Sequence, residues 1–249
     1  MLLQHCTWPD VEAYLETTRG IVIPIGSTEQ HGPTGLLGVD AICAEAIAVA
    51  VGERCGALVG PSIGVGMALH HLGFPGTVAL RPSTLQAVIR DYVLSLAGHG
   101  FTRFYFVNGH GGNVPSLQAA FAELYHEARL RASPAPDLRC LWVDWWKQPA
   151  VAALEHELFG DQDGIHATAG EISLTLYLVP AAVAAAARPL VPEVAPSGPI
   201  YGAFDFRRRY PDGRVGSNPT LASPEHGRRL FDSAVAAIGD AYRAFVDAP

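Results

Sequence analysis

The chain has no Cys-x-x-Cys pair. Its four cysteines, Cys6, Cys43, Cys55 and Cys140, are scattered, which excludes a cysteine-built zinc or dithiol site and leaves them as small buried hydrophobes. No stretch approaches the ~18 apolar residues of a membrane span. Residues 1–18 mix Gln4, His5, Asp10, Glu12 and Glu16 with apolar positions, unlike a signal or transit peptide, so the cytoplasm is the expected compartment. Basic charge is scarce too: 17 Lys and Arg stand against 24 Asp and Glu, a net charge of −7. The one cationic run, Arg207-Arg208-Arg209, is too short to track a phosphate backbone, which excludes nucleic acid as an expected partner. The G-x-G-x-x-G dinucleotide fingerprint is absent as well.

What is present describes a well-packed globular chain, 49% hydrophobic and only 16% charged, with no repeat and no linker. At 249 residues it is expected to form one domain, residues 1–249, with a sizeable core. The β-branched run Ile21-Val22-Ile23-Pro24-Ile25 reads as a buried strand feeding a functional-length loop, residues 26–38. A helix follows from Asp40 to about Arg54, and Leu58-Val59 is a second strand. After a loop over residues 64–76, Ser83 can cap a helix whose stripe is Leu85, Val88, Ile89, Tyr92 and Leu96. Phe104 to Val107 reads as a strand, and Asn113 can cap the next helix, with Pro115 just inside it. Strand Cys140 to Val143, helices over residues 150–158 and 170–178, and a last helix from Ser223 to about Phe245 continue the alternation. That order predicts an α/β fold with a mostly parallel central sheet covered on both faces. Residues 188–222, rich in Pro and Gly, read as an excursion over the surface or into a neighbouring subunit.

Chemistry-bearing side chains gather at the strand-to-helix loops. Glu29 and His31, two apart, fall on one side of an extended segment. Asp40 opens a helix, His110 sits in Asn108-Gly109-His110-Gly111-Gly112-Asn113, and His166 and Glu171 bracket another helix entrance. Taken singly, Asp40 could be a helix cap, the glycine loop an anion nest, and Glu171 a solvated first-turn carboxylate. Together, at the C-terminal edge of a parallel sheet, imidazoles and carboxylates suit Zn²⁺, Mn²⁺ or Fe²⁺. Two ions bridged by a carboxylate lower the pKa of shared water and polarise a carbonyl, which points to hydrolysis. His70, His71, Phe74, Trp145 and Trp146 could line the pocket and contact substrate. If residues 145–146 are extended, only one tryptophan faces it, Trp145 by preference, and either could equally be core.

Gly26-Ser27-Thr28-Glu29-Gln30-His31-Gly32-Pro33 with Asp40, then Phe74-Pro75-Gly76-Thr77, then residues 108–113, then His166 with Glu171-Ile172-Ser173-Leu174, resemble the creatininase (creatinine amidohydrolase) family in order and spacing. The resemblance runs from about Trp8 to Tyr242. It implies a three-layer α/β/α fold, two divalent metal ions per chain, a homo-oligomer, commonly a hexamer built as a trimer of dimers, and hydrolysis of an amide-type C–N bond in a small molecule. It makes Glu29 and His110 ligands of one metal, His31 a ligand of the other, Asp40 the bridge, and His166 the proton-transferring residue beside the substrate. One departure is Gly112, where creatinine-cleaving members carry a carboxylate ligand. Glu171 is the expected replacement, and creatinine is weakened as the substrate. Two other readings remain open at this stage. A metal-dependent phosphoester hydrolase would want cations that the motif loops lack, and a non-catalytic metal-binding chain is the other.

Overall fold

The computed structural model describes residues 1–131, 137–184 and 189–248. Four parallel strands, β1 (Gly20–Ile25), β2 (Leu58–Val59), β3 (Arg103–Asn108) and β4 (Arg139–Asp144), form one sheet in the order β2-β1-β3-β4. Parallel strands need helical crossovers, and those crossovers cover both faces. Side-chain alternation sorts the two cores. Ile21, Ile23, Ile25, Phe104 and Phe106 point to one face, against α1 (Trp8–Leu15), α3 (Pro82–Ala97) and α4 (Val114–Arg131). Val22, Tyr105 and Val107 point to the other, against α2 (Val39–Cys55), α5 (Pro149–Phe159), α6 (Ala169–Leu178) and α9 (Pro224–Asp247). The result is the expected three-layer α/β/α sandwich.

Pro24 sits inside a central strand, where a missing N–H ordinarily costs a ladder bond. Residues of a parallel strand point N–H and C=O to the same side, and the Pro24 carbonyl accepts from Ile63 N at 3.0 Å. That flank of β1 lies beyond the two-residue β2, so no strand asks Pro24 for a donor.

Three local expectations need correction. Arg81, not Ser83, is the N-cap of α3, because Pro82 already opens the helix. Asn113 does not cap α4: it ends a 3₁₀ turn, Gly111–Asn113, and its side chain is spent on Met67 N (3.0 Å) and Gly26 O (2.9 Å). Asp40 lies within the first turn of α2, behind Gly38 at the N-cap, and caps nothing. The Pro- and Gly-rich stretch, read as an excursion over the surface or into a neighbouring subunit, has its first residue, Arg188, outside the described residues. It carries α8 (Ala203–Arg209), buries Phe206 against Phe74, Tyr210 and Val215, and folds back onto the sheet's C-terminal edge. The short α7 (Pro180–Ala184) precedes it. Arg214 clamps this segment from within, fully buried, donating to Asp212 and to the carbonyls of Pro192, Glu193 and Ser217.

Candidate metal centre

Parallel strands end their chains at one edge, and the loops leaving that edge converge. The loop after β1 supplies Glu29, Gln30 and His31. The first turn of α2 supplies Asp40, the loop after β3 supplies His110, and the entrance to α6 supplies His166 and Glu171. The turn between His166 and α6 passes through Ala167 at φ +56°, a left-handed conformation that a non-glycine residue holds only at a cost of ~1–2 kcal/mol.

The geometry centres on Asp40. Its Oδ1 lies 3.0 Å from His31 Nε2 and its Oδ2 lies 3.1 Å from His110 Nδ1, so one carboxylate faces two imidazoles from different loops. Glu171 Oε2 is 3.6 Å from His31 Nε2, while its other oxygen accepts from Thr168 N at 2.5 Å in a capping box. Capping and a site role are therefore compatible in Glu171, one oxygen for each. Glu29 sends Oε2 to within 3.3 Å of His110 Nε2 and Oε1 to within 3.8 Å of His166 Nδ1. Glu29, His31, Asp40, His110 and His166 are all buried.

Two observations fit a cation here. Neither oxygen of Glu29, nor Asp40 Oδ2, accepts a hydrogen bond, although all are sealed from water. The groups facing these oxygens are imidazole nitrogens 3.1 to 3.8 Å away, and carboxylates buried in that way favour a positive charge among them. Secondly, main-chain carbonyls, which can only accept, fix the outer ring nitrogens: His31 Nδ1 on Glu29 O (3.1 Å), His110 Nε2 on Met67 O (3.0 Å), His166 Nε2 on Gln30 O (2.7 Å). Each outer nitrogen has a carbonyl to donate to, which leaves the inner nitrogens of His31 and His110 facing Asp40 and that of His166 facing Glu29, the arrangement in which histidines bind metals. The clusters Glu29–His31–Asp40, His31–His166–Glu171 and Glu29–His71–His166 each bring ligand atoms within 4.8 Å of one another.

The loop carrying His110 accounts for Gly112. A Cβ at residue 112 would stand 2.3 Å from His110 Nε2 and 2.5 Å from the Met67 carbonyl. This loop has no room for any side chain there, so Glu171 is the carboxylate left to face His31 from the far side.

A cleft of about 540 Å³ opens onto the centre, within the range of small-molecule sites. Of the expected contact residues, His70, His71 and Trp145 line it; Phe74 does not, being packed under Phe206 with the Arg207 guanidinium 4.1 Å from its ring. Trp145 and Trp146 sit in a 3₁₀ turn rather than an extended segment, so both reach the cleft, their rings edge to face at 6.1 Å. Glu155, Asp163 and Lys147, none of which the sequence singled out, line it as well. Lys147, the chain's one lysine, pairs with Asp144 at 2.8 Å. Asp163 lies three residues before His166, a proximity that could have drawn notice, whereas Glu155 on α5 carried no sequence signal.

Burial, then the charges of Asp163 and Glu171, push the Glu155 carboxyl up to about 8. A carboxyl raised in this way binds its proton more tightly folded than unfolded, so stability falls as pH rises from the unfolded value of 4.5 through about 8. Glu155→Gln removes that loss. In metal-free protein the variant is expected to gain about 1–3 kcal/mol over wild type at pH 9 relative to pH 4, read by denaturant unfolding. Equal differences at the two pH values would refute the assignment.

The model of the family described as creatininase, creatinine amidohydrolase, matches residues 4–242. The creatinine amidohydrolase of Pseudomonas putida is 32% identical over 253 residues, covering 95% of this chain and 94% of that protein. The mycofactocin precursor peptide peptidase of Mycolicibacterium smegmatis is 43% identical over 115 residues, a match that spans only 44% of this chain and 46% of the peptidase. A solved structure of creatininase (Mn) superposes with a TM-score of 0.86 at 27% identity, over 99% of this chain and 98% of the other.

Proposed function

This chain belongs to the creatininase family, and from that premise we propose that it is a metal-dependent amidohydrolase acting on an amide-type C–N bond of a small molecule, such as a cyclic amide or a formamide. The observation that carries the reading is Asp40, whose two oxygens face His31 and His110 at 3.0 and 3.1 Å. We assign Glu29 and His110 to one divalent ion, His31 and Glu171 to a second, and Asp40 between them. One tetrahedral ion would have too few positions for these five side chains. Nitrogen and oxygen donors without sulfur suit Zn²⁺, Mn²⁺ or Fe²⁺.

Bound there, such ions supply an acidified water and polarise a carbonyl oxygen. The chain's own residues do the rest. Burial, then His71 and His31, hold His166 well below the ordinary imidazole range, so the ring rests neutral and a proton on its inward Nδ1 is readily given up. From Nδ1 that proton can pass to the departing nitrogen, which leaves poorly as an anion. The buried walls of Trp145 and His71 exclude water around it. The cramped Gly112 loop argues against creatinine itself as substrate.

The same reading takes the chain as one domain working in the cytoplasm, as a homo-oligomer and by resemblance a hexamer. Among the described residues no helix is long and apolar enough to cross a membrane. Tyr201 and Phe204, exposed at the start of α8, and the exposed Val191 are apolar surface that burial against another copy would cover.

Elemental analysis of freshly purified protein is expected to find close to two divalent ions per chain. A screen of formamides, lactams and short peptides is expected to reveal C–N cleavage. A chain that stays folded and metal-free after incubation with Zn²⁺, Mn²⁺ and Fe²⁺ would sink the reading.

A further inference from the structure

Four histidines crowd Glu29, and His31, His110 and His166 are wired alike, each with its outer nitrogen on a main-chain carbonyl. His71 is wired the other way. Its Nδ1 meets the side-chain amide of Gln30, with Nε2 at 2.9 Å. Two main-chain groups fix which end of that amide is which: Gly32 N donates to Gln30 Oε1 at 2.9 Å, and the Gly213 carbonyl accepts from Gln30 Nε2 at 2.9 Å. The Gly213 approach is itself built in, since a Cβ there would stand 1.8 Å from Gln30 Oε1, and the residue holds φ +90°.

The second hydrogen on Gln30 Nε2 has two ring nitrogens in reach, His71 Nδ1 and His166 Nε2, each at 2.9 Å. His166 Nε2 already carries a hydrogen, because it donates to the Gln30 carbonyl at 2.7 Å. Only His71 Nδ1 has a lone pair to accept with. A neutral imidazole has one N–H, so the hydrogen of His71 is on Nε2, which lies 3.2 Å from Glu29 Oε1.

We propose that Gln30 is a positioning residue that acts through His71: it keeps the hydrogen of that ring on Nε2, 3.2 Å from Glu29 Oε1, bars the ring from ligating, and leaves Glu29 to the centre that it shares with Asp40 and His110. The proposal rests on the metal-centre reading above. It also settles a choice among the clusters, because Glu29, His71 and His166 have ligand atoms close enough to hold an ion, and a protonated Nε2 removes that option. Gly213 belongs to the segment that folds over the site, so the same amide couples that segment to the state of His71.

The test is nitrogen-15 NMR of the full chain, metal-free and after addition of zinc, with His71 assigned by the signals lost in His71→Asn. The expected wild-type result is a His71 ring protonated at Nε2 and bare at Nδ1 in both states. Gln30→Glu replaces a donor by an acceptor at nearly the same volume. It is expected to place a hydrogen on His71 Nδ1 and to weaken zinc binding about 10–100-fold. Combined with His71→Asn, it should cost no more zinc affinity than His71→Asn alone, because the two act as one unit. A wild-type ring protonated at Nδ1 and bare at Nε2 overturns the proposal whether or not any variant folds, and so do zinc losses that simply add. A wild-type chain that takes up no zinc overturns the metal-centre reading instead, and the metal-free spectrum still decides the tautomer.

Discussion

Asp40→Ala is expected to yield a folded chain that retains neither metal ion and has lost about 10³-fold or more in kcat/KM. The magnitude follows from what the centre supplies: metal ions contribute several kcal/mol of transition-state stabilisation, and every ~1.4 kcal/mol is a factor of ten. Asp40 is singled out because it alone sends one oxygen toward each half of the centre, to His31 and to His110. A side chain that merely capped α2 would cost only ~1 kcal/mol of stability and leave metal content untouched; Gly38 holds the cap position, so that role is not open to it. Asp40→Asn, with the same volume, controls for a packing defect. Metal content and unfolding midpoint measured on the same preparation decide the matter, and retention of both ions in Asp40→Ala would remove Asp40 from the bridge.

His166→Ala is expected to keep both ions while turnover falls ~10²–10⁴-fold, the usual worth of a positioned proton carrier. The ring is well placed for that part. Its Nε2 hydrogen is pinned on the Gln30 carbonyl, its Nδ1 looks inward at 3.8 Å from Glu29 Oε1, and its face stacks on His71 at 4.2 Å. It also belongs to two of the candidate ligand clusters, so its removal is the sharpest discriminator between proton carrier and ligand. Metal stoichiometry lost along with kcat would make His166 a ligand; unchanged kcat would mean that the proton travels by another route.

Much of the fold was legible because parallel strands buried on both faces announce themselves as short β-branched or aromatic runs, as in Ile21 to Ile25 and Phe104 to Val107, followed by helix-length periodic segments. The capping signals were less secure. Ser83 and Asn113 are the right residue types in nearly the right places, yet Pro82 starts its helix one residue earlier, and Asn113 is recruited to tie Met67 to Gly26. Local propensity ranks a residue for a cap, and a tertiary partner can outbid it. Phe74 failed as a pocket residue for the same kind of reason: its partner Phe206 lies 132 positions away, in a stretch whose sequence carries no period.

By itself the sequence determined the parallel α/β architecture, the crowding of ligand-type side chains at one sheet edge, and the likeness to a metal-hydrolase family, because these depend on local periodicity and on short motifs at strand ends. Only the tertiary structure decided how those side chains are used. Asp40 became a carboxylate shared between two histidines, Glu171 divided its oxygens between cap and site, Gly112 proved to be a place where no side chain fits, and Gln30 acquired a role through His71. Those outcomes turn on which way a ring nitrogen or a carboxylate oxygen faces within a few ångströms. Such directions are set by main-chain carbonyls, neighbouring loops and distant segments packed against them, none of which a pattern along the chain encodes.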